Sequence, residues 1–336
     1  MVGFVILYFV YQRQEKLYHA KCAIDGIAQA DCSLMEKIWT DFTSANFFIL
    51  LVVIIAFMIS NASRAIRWQM MLKSMGFKTK FPNAIGAIMA AYLTNLGVPR
   101  SGEIVRAGII SKYEHIPLEK AIGTVVLDRI VDVISLLIVI FLAFVLSFDH
   151  MSGYFEKNFN LMTNIQQLVY NPVFIASLMI LGLIVAGGFY VYRERIFNSS
   201  LGKKVANILK GFMDGIYSIF KLEKPWWFLF HSVIIWLMYF LMTYFCFFAY
   251  EPTSHLGPIA GLVVFVFGSL GVVFPAPGGM GSYQFLVGES LGFFNVNAAD
   301  AFSFSNIVFF AVQLFCNILF GILAFILLPI YNKDEK

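Results

Sequence analysis

Apolar runs of roughly 20 residues, long enough to cross a bilayer as a helix, recur at about 44–63, 130–148, 172–192, 226–250 and 302–330. Hydrocarbon offers no partner to a backbone N–H or C=O, so each such run must satisfy its own backbone as a helix. Composition agrees: 60% hydrophobic and 13% charged residues exclude a water-soluble globular domain. Residues 1–12 add a shorter apolar stretch. It lacks the basic leader and small-residue cleavage site of a signal peptide, and we read it as a first span whose length depends on the choice of start codon.

Basic residues sort the connecting segments. Segment 64–80 carries Arg64, Arg67, Lys73, Lys78 and Lys80 with no acid, and 193–224 carries seven Lys or Arg. Segment 149–171 has only Lys157, and 251–257 has no Lys or Arg. The positive-inside rule places the first two in the cytoplasm and the last two outside. The basic faces read as anchors to anionic lipid, and Trp226 and Trp227 suit an interfacial belt. The same orientation puts the C-terminus in the cytoplasm and the loop 13–43, with Cys22 and Cys32, outside. Those two are either a disulfide or a pair of thiols; Cys246 and Cys316 read as packing groups within apolar runs.

Two apolar segments break on polar turns. One reads Asn95-Leu96-Gly97-Val98-Pro99-Arg100-Ser101-Gly102-Glu103, the other Phe274-Pro275-Ala276-Pro277-Gly278-Gly279-Met280-Gly281-Ser282. The flanking apolar limbs are too short to cross, and unpaired backbone is tolerated in a membrane only inside protein or beside water. We therefore expect re-entrant helical hairpins at 82–115 and 257–295. The landmarks recur at a nearly constant offset. This predicts one integral membrane domain over 1–336, with repeat 1 at about 44–148, a linking span at 172–192 and an inverted repeat 2 at about 226–330. The predicted class is all-α and polytopic, with about six full spans plus the two hairpins. The alternative is two ordinary pairs of short tilted spans. Matched interrupted segments in two halves point to a transporter's binding site. The second limb of each hairpin would aim its helix N-terminus, which attracts anions, at that site.

Charges gather at the first break. Glu103 and Arg106 are three apart, and Asp128 and Asp132 are four apart with Arg129 between them, at the opening of the next span. With Arg100 the six cancel, yet unpaired they would cost roughly 15–20 kcal/mol in hydrocarbon. The two aspartates need a cation between them, for which Arg100 and Arg106 are the candidates. Such a network either pins the hairpin to the next span or trades its carboxylates for a substrate phosphate, which arginine grips well.

Other chemistry finds little support. Gly288-Glu289-Ser290-Leu291-Gly292 matches the G-x-S-x-G pattern but lacks its strand-to-helix elbow, so close helix packing through Gly288 and Gly292 is the reading. No phosphate loop, no His/Cys set with metal spacing and no nucleic-acid motif is present in the sequence, and no cofactor is implied.

Arg100-Ser101-Gly102-Glu103 through Arg106, then Asp128-Arg129-Ile130-Val131-Asp132, then Pro277-Gly278-Gly279-Met280-Gly281, resemble the lysylphosphatidylglycerol synthase transmembrane family. Its members are also called flippase-like domain proteins. Two positions depart from the family pattern: Asp128, where Glu is commoner, and Gln284, where an acid is usual. The resemblance implies a stand-alone flippase-like protein without the cytoplasmic aminoacyl-transferase that some members carry. It implies a bacterial cytoplasmic membrane protein, not an enzyme, that moves an anionic phospholipid or polyprenyl-phosphate-linked lipid between leaflets. Its expected site is Arg100, Glu103, Arg106, Asp128, Arg129, Asp132, Pro277, Gly278, Gly279, Gly281 and Gln284. Two other readings stay open: a membrane-embedded lipid-modifying transferase, and an accessory subunit whose partner is an envelope glycosyltransferase.

Overall fold

The apolar runs form helices that extend beyond the runs themselves. The structure, a computed structural model, describes residues 2–28, 32–159, 222–274 and 276–333. Its helices are α1 (Val2–Ile24), α2 (Leu34–Ser44), α3 (Phe47–Ser74), α4 (Phe81–Gly97), α5 (Gly102–Glu114) and α6 (Leu118–Phe159). After the undescribed stretch come α7 (Pro225–Ala249), α8 (Pro258–Val273), α9 (Ser282–Gly292), α10 (Ala298–Val308) and α11 (Asn317–Tyr331). A π-helical segment, Phe309–Cys316, joins α10 to α11. There is no strand among the described residues. Among the described residues, four helices are long and apolar enough to cross a membrane: Phe47–Ser74, Leu118–Phe148, Pro225–Ala249 and the joined Ala298–Tyr331. The expected linking span at 172–192 and Pro275 lie outside the described residues. Residues up to Ser147 and from Leu222 onward form one compact unit. Residues 148–221 form a second, described only as far as Phe159 at the end of α6.

Two boundaries differ from the sequence reading, and both matter for the site. The span expected at 44–63 runs on as helix to Ser74, so Arg64 and Arg67 belong to α3 and not to a cytoplasmic loop. The span expected from 130 begins at Leu118, which puts Asp128, Arg129 and Asp132 inside α6 rather than at its opening. The reason is the same in each case. Helix continues wherever polar side chains find partners, and hydropathy cannot see partners.

Helices α3 and α7 run antiparallel. The N–H of Asn46, the residue capping α3, donates to Ala249 O at the end of α7 at 2.9 Å. At the other end Arg67 reaches Ser232 near the start of α7. Helices α4 and α5 fold back as a hairpin, because Glu114 at the end of α5 accepts from Lys80 N and Asn83 Nδ2 at the start of α4, at 2.8 and 2.7 Å. At about 1.5 Å per residue these limbs are roughly 25 and 20 Å long, short of the roughly 30 Å hydrocarbon core.

The hairpin turn demands glycine at one position. A Cβ on Gly102 would lie 2.3 Å from Ala91 O, while its own N–H donates to Asn95 Oδ1 at 2.8 Å. Gly102→Ala is therefore expected to lose about 1–3 kcal/mol in detergent unfolding. Gly288→Ala should not be destabilising, since its Cβ position is open. That openness corrects the expectation of close packing through Gly288.

Helix α4 also lies antiparallel along α11. The amides of Asn83 and Asn332 bond each other in both directions, Gly86 faces Leu328, and Gly321 faces Leu93. Helices α8 and α9 form the second hairpin, with Gly271 against Tyr283 and Ser282 Oγ donating to Gly271 O at 2.8 Å. Its turn holds Gly278, Gly279 and Gly281 at positive φ, a conformation that glycine adopts without strain. The two hairpin tips meet, for the side chain of Leu96 sits against Gly278. The start of α1 packs on the same turn, with Leu7 and Ile6 at Gly281 and Gly3 beside Ala276 and Pro277. Buried Phe57, Phe247, Val264, Tyr283, Phe304 and Leu328 form the core between these elements. Phe48, Leu51, Leu137, Ile138 and Phe141 are exposed, as lipid-facing side chains are. Cys22 and Cys32 form a disulfide next to α2, and Cys246 and Cys316 are buried thiols.

Candidate functional site

Three helices bring seven charged side chains together. On α3, Arg64, Arg67 and Trp68 share a face at spacings of three and four; on α6, Thr124, Asp128 and Asp132 do the same at spacings of four. These faces meet. Arg64 Nη1 lies 2.7 Å from Asp132 and 3.2 Å from Asp128. Arg67 Nη2 donates to Asp128 Oδ1 and, at 2.7 Å, to Asp132 Oδ1. Each guanidinium thus bridges both carboxylates, which removes the repulsion that the four-residue spacing would otherwise impose. Trp68 Nε1 donates to Thr124 Oγ1 at 2.9 Å and locks the pair of helices in register.

Helix α5 supplies the third side. Arg106 Nη1 donates to Asp128 Oδ2 at 2.7 Å, and its guanidinium lies over the Trp68 ring, 3.9 Å from the centroid. Glu103, one turn earlier, pairs with Arg129 at 2.9 Å, and Arg129 also approaches Asp132 at 3.7 Å. Arg64, Arg67, Arg106 and Asp128 are buried, whereas Arg129 is nearly half exposed. Arg64 Nη2 extends the network to Tyr239 Oη, which in turn touches Tyr92 Oη. Asp128 lies ten residues from the start of α6, and Arg64 ten from the end of α3. The cluster is thus roughly 15 Å along the helices from the start of α6 and the end of α3.

The charges do not cancel. Among the described residues four guanidiniums face three carboxylates, a surplus of one positive charge. The surplus falls on Arg106. Arg64 and Arg67 each hold both aspartates, while Arg106 holds one oxygen of one aspartate that two other arginines already share. Among the described residues its Nε and Nη2 are buried without a hydrogen-bond partner, whereas Arg64, Arg67 and Arg129 each leave only Nε so. A buried donor left unmade costs about 1–3 kcal/mol, more when it is charged. The arrangement is built to accept one more anionic group.

The expected site residues divide into three groups. Glu103, Arg106, Asp128, Arg129 and Asp132 come together as anticipated. Arg100 does not join them; it sits exposed on the turn at positive φ and makes no ion pair among the described residues. The cations between the aspartates are therefore Arg64 and Arg67, not Arg100, and neither is a loop anchor. Pro277, Gly278, Gly279, Gly281 and Gln284 form the second turn, where Gln284 is buried and its Oε1 accepts from Gly281 N at 2.8 Å. That bond closes the turn. The first free donor of each hairpin's second limb is thus taken, by Gln284 in one and by Asn95 in the other. The helix N-termini are less available to an anion than expected, and the arginine cluster more so. The missed residues leave a trace in the sequence: Arg64 and Arg67, three apart and so on one helix face, carry no acid in their own segment, while Asp128 and Asp132 share a face at a spacing of four.

A second polar network lies toward the opposite face. Lys37 on α2 bridges Asp41 and, at 2.8 Å, Asp300 on α10, and Tyr250 Oη donates to both aspartates. Burial pulls the Lys37 pKa down, but the two carboxylates outweigh it and hold the ammonium above its ordinary value. Glu289, in the second limb, pairs with Arg13 of α1 at 2.8 Å.

The family model described as Lysylphosphatidylglycerol synthase TM region matches residues 32–321. A UPF0104 membrane protein of Methanocaldococcus jannaschii is 28% identical over 110 residues, which is 32% of each chain. The similarity thus spans about a third of that relative. No solved structure matches this chain.

Proposed function

We propose that this protein, which belongs to the Lysylphosphatidylglycerol synthase TM region family, carries a lipid with an anionic, phosphate-bearing headgroup between leaflets, with Arg106 as its main contact. It is a membrane protein with several apolar helices. The reading rests above all on the surplus cation of the α3–α5–α6 cluster and the unpartnered Nε and Nη2 of Arg106. Two hairpins whose tips meet supply what an anchored site alone would lack. Their limbs stop short of crossing, so the chain reverses inside the membrane, where irregular backbone belongs to protein-lined or watery space. Loop charges favour an orientation with the cluster nearer the cytoplasmic face and the C-terminus in the cytoplasm, and the family resemblance favours a bacterial cytoplasmic membrane.

The residues divide the work. Arg64 and Arg67 hold Asp128 and Asp132, and so fix α3 to α6. Glu103 and Arg129 set the local balance at a half-exposed rim. Arg106, stacked on Trp68, presents two donors in the planar geometry that suits a phosphate oxygen pair. When the headgroup leaves, Arg106 falls back on Asp128. In proteoliposomes with acyl-labelled lipids, the purified protein should accelerate exposure of phosphatidylglycerol to a membrane-impermeant quencher at least about tenfold over empty vesicles, with phosphatidylcholine, whose zwitterionic headgroup has no net charge, favoured less. No acceleration for any anionic lipid would refute the proposal.

A further inference from the structure

We infer that the site selects headgroups by charge, taking a phosphodiester with one negative charge over a phosphomonoester with two, and that Glu103 sets this preference. The inference rests on the lipid-carrier reading above and adds the substrate class. It follows from the count of charges and from where they are buried. Among the most enclosed groups of the described residues, Arg64, Arg67 and Arg106 face Asp128 and Asp132, leaving one positive charge. At the rim, Arg129 and Glu103 pair with each other at 2.9 Å and add nothing to that sum. Either boundary gives the same surplus of one. A bound phosphodiester brings the cluster to neutrality, whereas a phosphomonoester, close to two negative charges above its second pKa of about 6, leaves one uncompensated. An uncompensated charge is what the membrane interior penalises.

Glu103 is the residue that can change this count without touching the aspartates that fasten α3 to α6. One oxygen accepts from Arg129, and the other, Oε2, is buried with no partner. Neutralising it frees Arg129 to join the surplus, so the cluster then matches two negative charges. Arg100 stands on the exposed turn with no ion pair among the described residues, where water compensates it, and it does not enter the buried count.

The test compares acyl-labelled phosphatidylmethanol with phosphatidic acid of the same chains, which differ by a single methyl ester, in proteoliposomes at about pH 8, above the second phosphate pKa. The full-length wild-type protein is expected to move phosphatidylmethanol at least about tenfold faster than phosphatidic acid. Glu103→Gln is expected to shrink or reverse that ratio while both proteins elute identically from gel filtration. Equal wild-type rates, or faster movement of phosphatidic acid, would overturn the charge rule and leave the carrier reading standing. Movement of neither lipid would overturn both. Should Glu103→Gln fail to fold, the wild-type ratio alone decides. If the variant folds and keeps the wild-type ratio, Glu103 does not set the preference.

Discussion

Asp128→Asn should cost about 3–5 kcal/mol of stability in detergent, the usual penalty for removing one partner of a buried ion pair. Three guanidiniums converge on that one carboxylate, Arg67 on Oδ1 and Arg64 and Arg106 on Oδ2. Its neutral replacement leaves four arginines facing Asp132 and Glu103, and the surplus doubles. Asp132 cannot make up the difference, since it already accepts from Arg64 and Arg67 and lies 3.7 Å from Arg129. A melting curve for Asp128→Asn that overlays the wild type would mean that the network contributes little to the fold.

Arg106→Gln should do the opposite: keep the fold and lose the activity. Removing Arg106 leaves three guanidiniums and three carboxylates, and both aspartates keep Arg64 and Arg67. The cluster becomes neutral, so unfolding in detergent should change by about 1–2 kcal/mol, from the lost Trp68 stacking and one hydrogen bond. Lipid movement should fall about a hundredfold, in line with the roughly 2–5 kcal/mol attached to truncating a buried charge-assisted contact. The contrast between the two variants separates a binding site from a structural clamp. A clamp predicts that both lose stability in proportion to the bonds removed, with no special effect of Arg106 on transport.

The helical class, the two hairpins and five of the seven clustered charges were legible from the sequence. Hydropathy finds helices because hydrocarbon leaves the backbone no other choice, and the Pro/Gly turns declare themselves by chemistry. Arg64 and Arg67 were not legible in the same way. A charged residue past an apolar run reads as a loop unless its partner is known, and the partners lie some 60 residues away on α6. Arg100 misled for the reverse reason. Adjacency to Glu103 suggested a shared site, but Arg100 sits exposed on the turn at positive φ and makes no ion pair among the described residues. Gln284 shows a third limit. The resemblance implies a site residue there, and the bond from Gly281 N to its Oε1, which closes the turn, is not readable from the sequence.

The central claim is that the spare positive charge on Arg106 holds the phosphate of a lipid. Native mass spectrometry of the protein, titrated with phosphatidylglycerol and with phosphatidylcholine, measures that directly. The wild type should retain phosphatidylglycerol at lower lipid concentration than phosphatidylcholine, and Arg106→Gln should abolish the difference while leaving the melting curve nearly unchanged. Equal retention of phosphatidylglycerol by the wild type and by Arg106→Gln would contradict it.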